Sequence, residues 1–326
     1  MQIKKPRIGN LKLNSPVVLA PMAGISSLPF RRIMKSFGAS LVFTEMVSAN
    51  GLIRDGKKTH RLLATHETEA PLGIQLFGDD PTVMAAAAGM VANLGALLDI
   101  NMGCPVKKVI RSGAGSALLR EPKRVHAILT AVRSVYTGPL TIKIRSGWEQ
   151  STQNFLEIGR IAEDAGADGV TLHARSRCQG FSGQADWDQI GRLKAALQIP
   201  VFGSGDIFSS DDGLKMLQQT GCDAIMIGRG GYGNPWLIQQ ILNRLDGLPA
   251  PGPTTKEIRQ TALTHLQLHE TQFGSRKTLL EMRKHLCWYA RGLTGASHFR
   301  SAVQQAESLD QVRNLVDRYF HQAEAV

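Results

Sequence analysis

Short apolar, β-branched runs return eight times within the first 229 residues, and that recurrence restricts the fold more than any other feature. The runs are VVLAP (17–21), LVFTEM (41–46), GIQLFG (73–78), LLDINMG (97–103), LTIKIR (140–145), GVTLHAR (169–175), PVFGSGD (200–206) and AIMIGR (224–229). Most gaps between them carry an amphipathic helical pattern. NFLEIGRIAEDAG (154–166) is the clearest, with apolar residues at helical spacing and a glycine at its stop. DWDQIGRLKAAL (186–197) opens on an aspartate suited to capping. Alternating strands and helices predict parallel pairing, because each crossover must return across the sheet. Eight such units close into a (β/α)8 barrel. RIGNLKLNSP (7–16) alternates apolar and polar residues ahead of the first run, which predicts a small hairpin plugging the barrel floor.

The pattern changes after residue 243. GLPAPGPTT (247–255) is rich in proline and glycine and ends on a helix-start signal. Beyond it no strand run appears, so the expected division is a barrel over 1–243, a linker over 244–255 and a bundle of about four helices over 256–326. A chain of 326 residues exceeds the usual single-domain size and accommodates both parts. The most apolar stretch, TVMAAAAGMVANLGALL (82–98), is short, alanine-rich and interrupted by Asn93, and reads as a packed helix rather than a membrane span. No N-terminal stretch pairs a basic region with an apolar run and a small-residue cleavage site, which argues against a secretory signal.

Four cysteines, Cys104, Cys178, Cys222 and Cys287, lie far apart with no C-x-x-C pair. Neither a metal site nor a disulfide framework is expected, and a reducing cytoplasm suits them. The formal net charge is +11 and the isoelectric point about 9.7. Such an excess of Lys and Arg suits a polyanionic partner, since neutralised phosphates release counterions.

In a barrel of this kind the carboxyl ends of the strands carry the chemistry. Read in order, those ends are Pro21-Met22-Ala23-Gly24, Glu45-Met46, Gln75, Asn101-Met102-Gly103-Cys104, Lys143 with Arg145, His173 with Arg175, Gly203-Ser204-Gly205-Asp206 and Gly228-Arg229. The set is polar and mostly cationic, with one thiol. Small residues after the last two strands let backbone N–H groups approach a phosphate at the barrel's usual site, although GSGD and GRGG would also serve as tight turns. Lys143 and His173 alternate with apolar neighbours. Pointing inward they call for an anionic ligand; otherwise they snorkel to the rim.

APMAG (20–24), DINMGCP (99–105), GSALL (115–119), TIKIR-x-GW (141–148) and IMIGRG-x-x-G-x-PW (225–236) together resemble the tRNA-dihydrouridine synthase family, above all its bacterial B subgroup. The similarity runs from about residue 8 to the end of the chain, with order and spacing kept. It implies an FMN-dependent barrel followed by a helical domain that helps hold tRNA, with NADPH as reductant and NADH a possible substitute. Hydride would pass to C6 of a D-loop uracil, with position 17 favoured by the subgroup, while Cys104 protonates C5 from the opposite ring face. An unperturbed thiol, with a pKa of about 8.5, is mostly protonated at neutral pH and can donate.

By position, the resemblance assigns Pro21, Met22 and Ala23 to the flavin ring. Gln75, Lys143 and His173 would contact the isoalloxazine, and Ser204, Gly205, Asp206, Gly228 and Arg229 would cradle phosphate and ribityl. Two departures stand out: Ser204 where asparagine is usual, and Ala174 where glycine is commoner. Asn101 would read the base edge, while Arg145, Arg175 and Arg177 would hold substrate and steady developing charge. The glycine-bearing RSGAGS (111–116) could let the Cys104 loop close over a base.

For tRNA, the segment 274–300 carries Arg276, Lys277, Arg283, Lys284, Arg291 and Arg300 against the single acid Glu281. Lys277, Arg283 and Lys284 are the expected contacts there, and Lys107, Lys108 and Arg111 extend the positive patch toward Cys104. Trp288 and Tyr289 could stack on bases or pack the bundle, and packing is the expected role, since apolar bodies usually go inside. No membrane and no obligate protein partner is called for. The competing readings are an FMN barrel oxidoreductase of a small molecule resembling dihydroorotate dehydrogenase, a tRNA-binding protein without activity, and a non-redox phosphate-binding barrel.

Overall fold

The computed structural model describes residues 5–322; the outermost ends of the two expected domains, 1–4 and 323–326, lie outside it. A two-stranded antiparallel hairpin, β1 (Arg7–Ile8) and β2 (Leu11–Lys12), comes first. Nine parallel strands follow: β3 (Val17–Leu19), β4 (Val42–Phe43), β5 (Val47–Ser48), β6 (Leu72–Phe77), β7 (Leu97–Met102), β8 (Leu140–Arg145), β9 (Gly169–His173), β10 (Val201–Ser204) and β11 (Ala224–Ile227). Neighbours pair in chain order from β6 to β11, β11 returns to β3, and a bridge from Val18 to Leu41 closes the ring toward β4. The architecture is the (β/α)8 barrel. One run differs from expectation: LVFTEM is not a single strand. Only β4 and β5 pair with β6, because Thr44 turns its hydroxyl to the Gln75 N–H instead of continuing the ladder.

The two flagged helices form over Phe155–Asp164 and Trp187–Ala196. Asp186 does stand at the second helix's N-cap, but its carboxylate accepts from the Gln189 side chain rather than from a backbone N–H. The hairpin delivers Ile8 and Leu13 onto Phe43, Leu97 and Phe202, closing the barrel floor with apolar side chains.

Helix Trp236–Leu245 runs two residues into the expected linker, and the next helix begins at Thr255 behind a reciprocal cap between Thr254 and Glu257. Helices Thr255–Phe273, Ser275–Tyr289, Ala296–Gln305 and Leu309–Gln322 build a second apolar core around Leu266, Leu286, Phe299 and Val316. This bundle docks on the barrel through helix Leu28–Ser36. Trp288 stacks on Tyr232 at 4.4 Å between ring centres. Tyr289 is buried as expected, whereas Trp288 is half-buried.

The docking surface holds buried histidines. The His265 ring lies 4.8 Å from His285, and both contact Phe30 of the barrel. Burial, aided by the nearby His269, drives the His265 pKa down to about 3; burial likewise holds His285 well below its ordinary value. An unfolded histidine titrates near 6.5, so on acidification the unfolded chain takes up the proton first. The stability these rings contribute is therefore complete above pH 6.5 and declines as pH falls toward 3. Urea unfolding at pH 5 should show a loss of about 2 kcal/mol from His265 relative to pH 7. A His265→Phe variant should lose measurably less over the same interval; equal losses would remove the ring from the acid response.

Candidate active site

A cavity of about 300 Å³ opens at the carboxyl ends of the barrel strands. Alternation along β8 sends Lys143 and Arg145 inward, and β9 presents His173 beside them, since its register places His173 opposite Arg145. β7 ends at Met102, where Gly103 and Pro105 stop the ladder. Cys104 thus projects into the cavity from the loop, half-buried.

That loop is held from three sides. Asn101 Oδ1 accepts from the N–H groups of Gly103 (3.2 Å) and Cys104 (2.9 Å). Ser116 donates to the Cys104 carbonyl through both its N–H and its hydroxyl. Arg145 donates to Gly103 O at 3.0 Å and to the carbonyls of Ser176 and Gly180. RSGAGS is accordingly the clasp of the Cys104 loop, with Gly115 in the left-handed region (φ +62°) and lacking room for a Cβ against Cys104 O.

Burial sets the protonation states. Desolvation, followed by the Arg145 charge, brings Lys143 down to about 8. His173 is driven well below its ordinary value by burial and by Lys143, Arg145, Arg175 and Arg229, so the imidazole is neutral. The Cys104 thiol is pushed up by burial against the opposing pull of the Val106 backbone, Arg145 and Lys143. The site therefore offers a protonated thiol, a neutral imidazole and several cations.

Ser204, Gly205, Asp206, Gly228 and Arg229 meet at one corner of the cavity. Asp206 adopts φ 57° and accepts from Arg175 (2.6 Å), from the Ala185 N–H (2.8 Å) and from Arg229 (3.2 Å). Burial raises its pKa, but these hydrogen bonds and the two arginine charges outweigh burial and hold it below the carboxylate range. A Cβ on Gly228 would face Ala20 and Met22, themselves lining residues, and so would take up cavity space. A corner with small residues, a braced arginine and a cationic surround fits an anionic group such as a phosphate.

Several expected site residues stand outside the cavity lining or are held by the protein's own groups. Gln75 is fully buried beneath the cavity, bonded to Asp99 and Asn101. Arg175 is 1% exposed and clamps Ser182, Gly183 and Asp206, so it braces the site rather than facing it. Arg177 lies over the Trp148 ring, 4.5 Å from its centre, outside the cavity lining. Arg283 donates to Ala306 O, tying two bundle helices together. Lys277 sits 3.9 Å over the Phe273 ring and pairs with Glu281. Lys284 donates to Gly24 O, stitching the bundle to the loop that carries Met22 and Ala23. Ala174 is buried and does not line the cavity.

Conversely, Phe181 and Phe208 stand half-exposed at the mouth, with the Arg229 guanidinium 4.4 Å and 5.5 Å from their ring centres. The sequence signal for them was a single phenylalanine in each of two polar loops, after β9 and after β10. Met46 lines the cavity as the end of the second run, whereas Tyr232, also in the lining, carried no such signal.

A parallel barrel with a cationic chamber at its strand ends and a corner of small residues has the layout of a barrel enzyme whose chamber suits an anionic ligand. Comparison narrows the class. A model of the dihydrouridine synthase family matches residues 18–324. A probable tRNA-dihydrouridine synthase of Rickettsia bellii is 37% identical over 96% of this chain and 97% of its own. The tRNA-dihydrouridine synthase B of Pasteurella multocida is 42% identical over 91% and 90%. The chain belongs to the tRNA-dihydrouridine synthase family, whose members convert uridine to dihydrouridine.

Among solved structures, the 6-hydroxypseudooxynicotine amine oxidase of Pseudomonas geniculata N1 shares the fold with a TM-score of 0.59 at 14% identity, over 79% of this chain and 52% of that one. Histamine dehydrogenase from Rhizobium sp. 4-9 does so with a TM-score of 0.56 at 14% identity, over 82% and 50%. The chain spans about half of each, and these likenesses concern the fold alone. Among the described residues, no helix is long and apolar enough to cross a membrane.

Proposed function

We propose that this protein reduces a D-loop uridine of tRNA to dihydrouridine, with flavin mononucleotide held in the cavity and NADPH, or NADH in its place, as reductant. The observation that carries the reading is the meeting, in one chamber, of a corner suited to phosphate, a half-buried lysine of lowered pKa and a protonated thiol. Ser204, Gly205, Asp206, Gly228 and Arg229 would hold the cofactor phosphate and ribityl chain; Pro21, Met22, Ala23, Lys143 and His173 would line its ring. Flavin mononucleotide, when bound, supplies the hydride that C6 of the base receives.

Cys104 holds the complementary proton on Sγ and delivers it to C5. Its raised pKa keeps that proton in place at neutral pH. Arg145 keeps the loop carbonyl fixed, and its buried charge stabilises the electron density that builds on the uracil oxygens. The base must leave its stack to enter so enclosed a chamber. Exposed Lys107, Lys108 and Arg111 beside Cys104, together with Arg276, Lys277, Arg291 and Arg300 on the bundle, offer the polyanion a basic track. Position 17 is the favoured target.

Two measurements test this. Purified protein mixed with flavin mononucleotide and desalted should retain a yellow chromophore, and should restore dihydrouridine to tRNA from a strain lacking its own synthases. A colourless protein, or tRNA left unmodified by flavin-loaded enzyme with NADPH, would sink the reading. Reduction of a free pyrimidine in preference to tRNA would favour the small-molecule oxidoreductase.

A further inference from the structure

Below the cavity, a chain of side-chain hydrogen bonds runs from a buried carboxylate to the backbone of the Cys104 loop. The pairing of β6, β7 and β8 sets Gln75, Asp99 and Thr141 side by side. Asp99 is 1% exposed and Gln75 0%, so neither has solvent to complete its bonding. Asp99 accepts from Thr141 Oγ1 at 2.6 Å and from Gln75 Nε2 at 2.7 Å. Gln75 Oε1 accepts from Asn101 Nδ2 at 2.8 Å. Asn101 Oδ1 in turn accepts from the N–H groups of Gly103 and Cys104.

The orientation of both carboxamides is decided at the two ends of this chain. Backbone N–H groups only donate, so Asn101 must turn its oxygen toward Gly103 and Cys104 and its nitrogen toward Gln75. Gln75 must then turn its oxygen to Asn101 and its nitrogen downward, where only an acceptor satisfies it. Asp99 is that acceptor. Burial raises its pKa to about 6 against the Thr141 and Gln75 hydrogen bonds and the Lys143 charge, leaving a carboxylate mostly ionised at neutral pH.

We infer that Asp99 is a positioning residue: through Gln75 and Asn101 it fixes the backbone at Gly103 and Cys104 and thereby aims the thiol. This rests on Cys104 being the proton donor. It explains why an acid with no access to substrate lies one strand repeat below the loop, and why Gln75 is fully enclosed.

The test compares three substitutions by the rate at which iodoacetamide labels Cys104, located by peptide mass spectrometry, and by kcat and KM for tRNA. Asp99→Leu removes the acceptor and the charge. Asp99→Asn removes the charge but keeps an acceptor for Gln75, since its NH2 can turn to the Thr141 hydroxyl oxygen. Gln75→Leu cuts the middle link. Asp99→Leu should loosen the loop and speed Cys104 labelling at neutral pH about tenfold, the change that one pKa unit gives. It should lower kcat about 100-fold, as a misplaced catalytic group does, with KM for tRNA within about twofold. Asp99→Asn should stay near wild type. Gln75→Leu should match Asp99→Leu in labelling, and the two together should add nothing further, because both break one chain.

Wild-type labelling in both leucine variants would overturn the inference. So would additive effects in the double variant, or an Asp99→Asn variant as impaired as Asp99→Leu. If Asp99→Leu fails to fold, Gln75→Leu and Asp99→Asn decide the matter by the same readouts. Labelling is independent of turnover. An inactive wild type, or one indifferent to Cys104, would refute the proton-donor reading while the labelling still reports on the chain.

Discussion

Cys104→Ala is expected to lower kcat for dihydrouridine formation by about 10²–10⁴-fold, the contribution of a positioned general acid, and to leave flavin and tRNA binding intact. The separation follows from how the loop is held. Asn101 and Ser116 grip the main chain at residues 103 and 104, and Arg145 grips Gly103 O; none of these contacts uses the sulfur. Deleting Sγ should therefore remove the proposed proton donor while the loop keeps its shape. Neither His173 nor Asp206 takes over the proton. Burial and four cations leave His173 neutral, and Asp206 is an ionised acceptor already engaged with two arginines. The check is dihydrouridine content by mass spectrometry after single-turnover reaction on unmodified tRNA, with flavin absorbance and tRNA affinity measured on the same preparation. Undiminished turnover would take the thiol out of the mechanism.

Glu69→Gln is expected to cost about 3–5 kcal/mol of folding stability, because it leaves a buried guanidinium without its counter-charge. Arg31 and Glu69 are 1% and 0% exposed and meet through two hydrogen bonds, at 2.6 Å and 3.0 Å. Two further Arg31 protons go to the carbonyls of Ser26 and Ala64. Ser26 in turn accepts from the Met22 N–H, so the pair also anchors the loop that brings Met22 into the cavity. Urea unfolding should show the midpoint fall with little change in slope. Replacing both partners, as Arg31→Met with Glu69→Leu, should cost less than Glu69→Gln alone, since no orphaned charge remains. A single variant as stable as wild type would mean that water reaches Arg31.

The barrel was legible because its signal is local and repeated. Period-two apolar runs alternating with helical patterns leave few arrangements of parallel strands, and a glycine–proline break after DINM pushes a side chain out of any ladder. The same locality exposed the Thr254 cap and the change to an all-helical segment. It also placed Cys104, Lys143, Arg145, His173 and the Ser204 and Gly228 corners around one chamber, since residues at strand ends converge whenever the sheet closes.

Tertiary packing alone decided what the remaining polar groups face. A guanidinium reads the same in sequence whether it meets a phosphate or three carbonyls. Arg175 and Arg283 are spent on the protein's own backbone, and Gln75 is turned down toward Asp99. The partner of Arg31 lies 38 positions away, and Trp288 met Tyr232 only once the bundle had docked. Runs and turns are properties of neighbouring residues, whereas the partner of a buried charge or amide is whichever group the closed barrel brings within hydrogen-bonding distance.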